Sequence, residues 1–149
     1  MTTKFELQYS LSQLPSLNKY INAERKNRYK GGAIKKKATN YVRIETLSQT
    51  VGKPKNFVVV EPLQFDFHLK NSRTDPDNVA FVRKYIFDGW QKAGLISNDN
   101  LKTVGCSWTD SFVVDGGDYV TIKFAGEEIK IEKRKVRPEN NKNGVLKNR

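Results

Sequence analysis

Three aspartates are the residues of this chain that are best suited to chemistry. Asp75 and Asp77 lie two positions apart in the segment Asp75-Pro76-Asp77-Asn78, and Asp99 follows in a second polar segment. Hard cations such as Mg²⁺ prefer carboxylate and water oxygens, so two or three aspartates that meet in space can hold one or two ions. Spacing brings the first two together, whereas only folding can add Asp99. The residues predict a Mg²⁺ site, with Mn²⁺ as an alternative metal.

Each of these aspartates also has an ordinary structural interpretation. Asp75 is a good helix N-cap, Pro76 suits the first helical position, and Asp77 favours the positive end of a helix dipole. Asp99 is equally typical of a cap or a turn. Taken one at a time, the aspartates therefore leave metal binding and helix capping both open.

Helix geometry adds two further candidates to the first pair. Lys84 and Asp88 follow Asp77 by seven and eleven residues, so the three would share one face of a continuous helix. Lys84 could stabilise the charge that develops on a reacting phosphate. An ordinary surface salt bridge between Lys84 and Asp88 would have the same spacing.

The elements that would position these residues follow from hydrophobic periodicity. Residues 63–70 alternate strictly between apolar and polar side chains, which predicts a strand with one buried face. The turn Asp115-Gly116-Gly117-Asp118 should join two further strands. All the predicted strands are residues 5–11, 57–60, 63–70, 111–114, 119–124 and, as a last short one, 129–133.

Two helical stretches are predicted between these strands. Residues 23–47 should be helical with an interruption at Gly31-Gly32, and residues 75–93 should form an amphipathic helix ended by Gly94. The apolar stripe of the second helix consists of Val79, Val82, Ile86 and Trp90. Strands that flank helices in this order predict an α+β (mixed α/β) domain with a single mixed sheet and helices packed against it.

Charge is distributed unevenly along the 149 residues. The net charge is +11, and residues 19–43 carry nine Lys or Arg against one Glu, whereas residues 59–118 carry nine acidic and six basic residues. Such a chain favours a polyanionic partner, and nucleic acid is the leading candidate. We expect one folded domain over residues 1–132 and a basic, flexible tail over residues 133–149.

Other classes of protein fit the sequence less well. A single cysteine, Cys106, excludes an intramolecular disulfide, and one histidine cannot complete a zinc-ligand pattern with it. The first residues lack the apolar core of a signal peptide, and no apolar run approaches the length of a membrane span. We expect a soluble cytoplasmic protein that does not act at a membrane and has no small-molecule substrate.

The motifs taken together resemble the RusA family of Holliday-junction resolvases, and in particular its phage and prophage members. The resemblance covers residues 73–103, with Asp75-Pro76-Asp77-Asn78, a helix bearing Asp88-Gly89-Trp90, and the loop at Asp99. It extends less firmly to residues 14–20, which are similar to a Pro-Ser-Asn-rich segment after the first strand of the family.

The resemblance implies a fold, an activity and a set of roles. It implies a homodimeric crossover-junction endodeoxyribonuclease that nicks four-way DNA in pairs during recombination and repair, in a bacterial host cell. Asp75, Asp77 and Asp99 would be the essential, metal-binding carboxylates, with Asn78 and Asp88 as supporting residues. Where the family has its catalytic lysine this chain has Phe81, so Lys84 is a substitute that requires a three-residue insertion in the helix.

A basic setting is needed because carboxylates alone would repel DNA. The residues predicted to supply it are Arg25, Lys26, Arg28, Lys35, Lys36, Lys37, Lys133, Arg134 and Lys135. Lys-rich faces and tails are also commonly just solvated. Two alternatives therefore stay open: a non-catalytic, basic DNA-binding accessory protein of recombination, and a nuclease of the same chemistry that prefers flaps or duplex.

Overall fold

The computed structural model describes residues 2–53, 55–105 and 107–129 as a mixed sheet with helices packed against it. Of the predicted strand over residues 129–133 only Ile129 is described, and it is not in a strand. The basic residues Lys133, Arg134 and Lys135 and the predicted tail lie outside the described residues. Strands are β1 (Thr2–Ser10), β2 (Phe57–Val59), β3 (Leu63–Leu69), β4 (Trp108–Val114) and β5 (Tyr119–Glu128). Helices are α1 (Leu17–Lys26), α2 (Arg28–Gln49), α3 (Pro76–Ala80), α4 (Arg83–Lys92) and α5 (Leu101–Val104).

The sheet is mixed, as predicted. Its strand order is β1-β5-β3-β4, and β2 pairs with the C-terminal end of β5. Among these pairs only β3–β4 is parallel. The turn at residues 115–118 does join β4 to β5, but the two strands are not neighbours, because β3 lies between them. The Asp-Gly-Gly-Asp turn is therefore a crossover at the end of β3 and not a hairpin.

Alternation in β3 sets the two faces of the sheet. Leu63, Phe65, Phe67 and Leu69 are buried, while the residues between them are exposed or half-buried. The stripe predicted for residues 75–93 is buried as well, with Trp90 and Ile86 fully enclosed. Helices α2 and α4 pack against each other over this core.

The helical region before the core differs from the prediction. The helix continues through Gly31 and Gly32, and the interruption falls at Asn27, which is extended (φ −165°, ψ 124°) and caps α2 by accepting a hydrogen bond from the Tyr29 N–H. Gly31 instead allows α1 and α2 to approach, since a Cβ there would lie 3.0 Å from the Cβ of Glu24. Gly31 therefore marks a close contact between helices, and neither glycine breaks the helix.

A buried hydrogen-bonded group ties the sheet to the helices. The indole N–H of Trp90 donates to the Tyr9 hydroxyl at 2.7 Å, and that hydroxyl shares a 2.6 Å hydrogen bond with Thr46. Each of the three polar groups is thereby satisfied in the core. Among the described residues, no helix is long and apolar enough to cross a membrane.

Candidate active site

The Asp75–Asp77 pair lies at the exit of a central strand. β3 ends at Leu69, and a short loop leads to Asp75, which is the N-cap of α3. Asp75 Oδ1 accepts a hydrogen bond of 3.0 Å from the Asp77 backbone N–H, so the capping role is present. Both residues are exposed, and among the described residues neither carboxylate forms an ion pair. Capping uses one carboxylate oxygen of Asp75 and leaves the Asp77 carboxylate free.

Asn78 fixes this pair to the helix that precedes it in the chain. Its Oδ1 accepts a 2.8 Å hydrogen bond from the backbone N–H of Asn18, in the first turn of α1. The rings of Tyr20 and Phe81 stack beside this contact at 5.6 Å. The two sequence segments that carry the resemblance, residues 14–20 and 73–103, are therefore in direct contact through Asn78.

The predicted single helix over residues 75–93 is two helices. Between α3 and α4 the Val82 N–H bonds to Val79 O and the Lys84 N–H to Phe81 O, both at 3.1 Å, so this turn is wound more tightly than an α-helix. The prediction of one continuous helix over residues 75–93 was wrong, so the helix that was expected to place Asp77, Lys84 and Asp88 on one face is not formed.

Lys84 and Asp88 contact each other, as expected for an ordinary surface salt bridge. Lys84 Nζ lies 3.9 Å from Asp88 Oδ2, and the lysine side chain is 52% exposed. A contact of this length and exposure contributes little to stability. The ammonium group is therefore loosely held and accessible to an anionic ligand.

Asp99 approaches the same helices from a remote loop. The loop carries Asn98, whose Oδ1 accepts from the Asp99 N–H at 2.8 Å, and Asn100, which caps α5. A cavity of about 310 Å³ is lined by Asp99, Lys84, Ala80 and Phe81, among other residues. Ala80 is one helical turn after Asp77, so folding brings the Asp99 loop to the helix that bears the first two aspartates.

These aspartates do not form a preassembled set of three metal ligands. Within residues 2–53, 55–105 and 107–129, no three His, Cys, Asp or Glu side chains are grouped closely enough to hold an ion. The exposed Asp75–Asp77 pair still fits Mg²⁺, since this ion keeps several waters and binds through one or two carboxylates together with substrate phosphates. The donor chemistry of the pair therefore fits the ion.

Arg83 is a residue of this region that sequence reasoning missed. It forms an ion pair with Asp110, and its guanidinium lies 4.8 Å from the ring centres of both Phe65 and Trp108. No spacing rule predicts this contact, because Asp110 and Trp108 come from β4 while Arg83 begins α4. The arginine attaches the edge of the sheet to the helix and lines the same cavity as Asp99.

His68 and Asp115 form a separate polar pair on the opposite side of β3. His68 Nδ1 lies 2.6 Å from Asp115 Oδ2, and the imidazole stacks on Tyr119 at 4.2 Å. The hydrogen bond with His68, helped by one from the Gly117 N–H, holds the pKa of Asp115 below its ordinary value. This pair secures the crossover after β4 and does not line the cavity with Asp99.

The predicted basic residues separate into two groups. Arg25 and Lys26 end α1 and Arg28 begins α2, whereas Lys35, Lys36 and Lys37 line a large groove between α2 and α4. Arg43 and Lys92 line this groove too. Sequence reasoning missed both, because they lie outside the densest basic run and only the packing of α4 on α2 brings them to it.

Comparison with known proteins adds no relative: no protein-family model matches the chain, and no curated protein matches it. The candidate site is defined by its geometry alone. It consists of an exposed aspartate pair at the start of α3, and a cavity one helical turn away that Asp99 and Lys84 line.

Proposed function

We propose that this chain is a Mg²⁺-dependent endodeoxyribonuclease that resolves four-way DNA junctions by paired nicking, as a RusA-like homodimer acting in recombination and repair in a bacterial cytoplasm. The observation that carries the proposal is that Ala80 of α3, one helical turn after the exposed Asp77, lines the same cavity as Asp99. The charge of +11 supplies the polyanion affinity that such a site needs.

In this proposal Asp75 and Asp77 hold the metal, and Asp99 joins them when DNA is bound. Bound Mg²⁺, or Mn²⁺ in its place, would polarise the scissile phosphate and lower the pKa of a water for in-line attack. Asn78 holds the aspartate pair in place by its hydrogen bond to the main chain of α1. The loosely paired ammonium of Lys84 stabilises the phosphate charge as it develops.

The homodimer is supported by the edge strand β4. All seven of its residues are exposed, including the apolar side chains of Phe112, Val113 and Val114. It ends the described sheet, so one side of its backbone has no neighbouring strand. Edges of this kind pair readily with another strand, and a two-fold dimer would present two equivalent sites to a two-fold junction.

The test is cleavage of a synthetic four-way junction over a Mg²⁺ series by the wild type and Asp77→Asn. We expect the wild type to introduce paired nicks that require the metal, and Asp77→Asn to bind the junction and leave it intact. The control is Glu61→Gln, which removes an equal charge at an exposed position away from the site. Cleavage by Asp77→Asn at the wild-type rate would exclude the assigned role.

A non-catalytic DNA-binding accessory protein of recombination is the second candidate. The capping bond of Asp75 favours it, as does the lack of a three-ligand group among the described residues. This candidate predicts junction binding without nicking at any Mg²⁺ or Mn²⁺ concentration. Cleavage of a fork or a linear duplex in preference to the junction would instead assign the same chemistry to another DNA structure.

A further inference from the structure

A concave surface between α2 and α4 forms a groove of about 1200 Å³. Its basic lining is Lys35, Lys36, Lys37, Arg43 and Lys92, and its acidic lining is Asp88. Asp88 itself is in contact with Lys84. The groove therefore has a strongly positive potential, which attracts an anion.

These five cations have no carboxylate within ion-pair distance in the part of the chain that the structure describes. Clustering like charges without counter-charges costs electrostatic free energy, which a bound polyanion relieves. Surface lysines of a merely solvated face are typically interspersed with acids. The charge pattern thus favours a binding surface.

Arg43 is oriented within this groove before any ligand binds. Both Nε and Nη2 donate to Asn40 Oδ1, at 3.1 and 3.0 Å. The contact holds the guanidinium plane in one orientation and leaves its remaining N–H groups available. A planar, oriented guanidinium is well suited to phosphate oxygens, since its donors lie in a fixed fork.

A glycine sets the width of the groove. Gly89 on α4 faces Val42 on α2, and a Cβ at Gly89 would lie only 2.4 Å from Val42 Cγ1. This close approach brings Gln91 and Lys92 of α4 alongside Arg43 of α2. The residues that line the two walls come together only because α4 has no side chain at position 89.

The groove continues towards the candidate active site along α4. Asp88 lines the groove, and its partner Lys84 lies one turn earlier and lines the cavity with Asp99. A strand of nucleic acid lying in the groove would therefore pass the Lys84–Asp88 contact and reach the Asp99 cavity. The Lys84–Asp88 contact therefore joins a residue of the groove to a residue of the cavity.

We propose that the α2–α4 groove binds the sugar-phosphate backbone of one duplex arm and guides it to the aspartate site; the choice of DNA as the polyanion rests on the proposed function. Among the described residues that line it, none is an aromatic residue on which bases could stack. Binding is therefore electrostatic and independent of base sequence, with phosphates contacting Lys36, Arg43 and Lys92.

The experiment compares two double variants that each remove two charges. Lys36→Gln with Lys92→Gln changes the groove, and Lys4→Gln with Lys123→Gln changes exposed residues of the sheet. Affinity for a labelled linear duplex and a labelled four-way junction is measured by fluorescence anisotropy in EDTA, over a series of salt concentrations. EDTA prevents cleavage, so binding is measured by itself.

Each phosphate contact contributes about 0.9 to the slope of log affinity against log salt, and about fivefold in affinity at about 0.15 M salt. The groove double variant should therefore bind about 30-fold more weakly, with a slope smaller by about 2. The sheet double variant should keep the wild-type slope. Changing the base sequence of the duplex should alter neither result.

Equal losses in the two double variants, or none in the groove variant, would overturn the proposal. So would groove-dependent binding to phosphatidylserine vesicles without groove-dependent binding to DNA. The two proposals can fail separately. If the chain binds DNA through the groove but never cleaves it, the groove proposal stands and the nuclease proposal fails. If the chain cleaves DNA but the groove variant binds like the wild type, only the groove proposal fails.

Discussion

Replacements at Asp75 separate its two roles, because the cap and the metal ligand need different chemistry. The cap requires an oxygen that accepts from the Asp77 N–H, which Asp75 Oδ1 does at 3.0 Å. Asparagine can supply that oxygen and ranks with aspartate as an N-cap, but it carries no charge. Asp75→Asn therefore removes the carboxylate and keeps the cap, whereas Asp75→Ala removes both.

The expected magnitudes follow from these roles. Loss of the cap in Asp75→Ala should destabilise the fold by about 1 kcal/mol, which lowers the melting temperature by about 3 to 4 °C for a chain of this size. Asp75→Asn should melt within about 1 °C of the wild type. Both should lose at least about 100-fold in single-turnover cleavage, since even partners outside the ligand shell are worth 10 to 100-fold.

Two measurements decide between the roles. Thermal melting with and without Mg²⁺ reports binding directly, since an ion that binds only the folded state raises the melting temperature. The wild type should show this rise and Asp75→Asn should not. If Asp75→Asn keeps both the Mg²⁺ effect and near wild-type cleavage, the aspartate is only a cap and the metal site is wrongly assigned.

Two further predictions concern the packing that supports the site. Gly89→Ala should destabilise the fold by about 1 to 3 kcal/mol in urea, because its Cβ would overlap Val42, whereas Gly32→Ala, with nothing within 4 Å, should be neutral or stabilising; equal effects would contradict the close approach of α2 and α4. Tyr9→Phe should cost about 1 to 3 kcal/mol, since the buried Trp90 indole N–H loses its acceptor, and an unchanged urea midpoint would show that this hydrogen bond is not needed.

The mixed α+β class and the buried faces were predictable from local periodicity. Alternation in residues 63–70 and the stripe from Val79 to Trp90 are consequences of burying one face of a strand or a helix, and each can be read along the chain. The stripe is buried even though the helix is divided at Phe81 and Val82. The tight turn divides the helix without exposing its apolar residues.

What could not be predicted depends on contacts between distant segments. Glycine within a helical pattern predicts a break in the helix. At Gly31 and Gly89, however, a side chain would collide with the neighbouring helix, and local sequence does not reveal that contact. The turn after β4 has the Asp and Gly residues typical of a β-hairpin. Nevertheless, β3 pairs in parallel with β4 and separates it from β5. The single helix over residues 75–93 was predicted by counting residues along an ideal helix, and two hydrogen bonds to the third residue back, from Val82 and Lys84, divide it into α3 and α4.

The same contacts explain why the basic groove and the acidic site can coexist in one small domain. Carboxylates that are exposed in a basic protein would normally be neutralised by nearby cations, but the Asp75 and Asp77 side chains have no ion pair among the described residues. The groove cations have no carboxylate partner in the described ranges either, and Asp88 of the groove contacts Lys84 of the Asp99 cavity. Keeping the two sets of charges apart costs stability. Under the proposed function, a phosphate backbone with its metal ion would satisfy both at once: the groove cations by phosphate oxygens, and the aspartates by the metal.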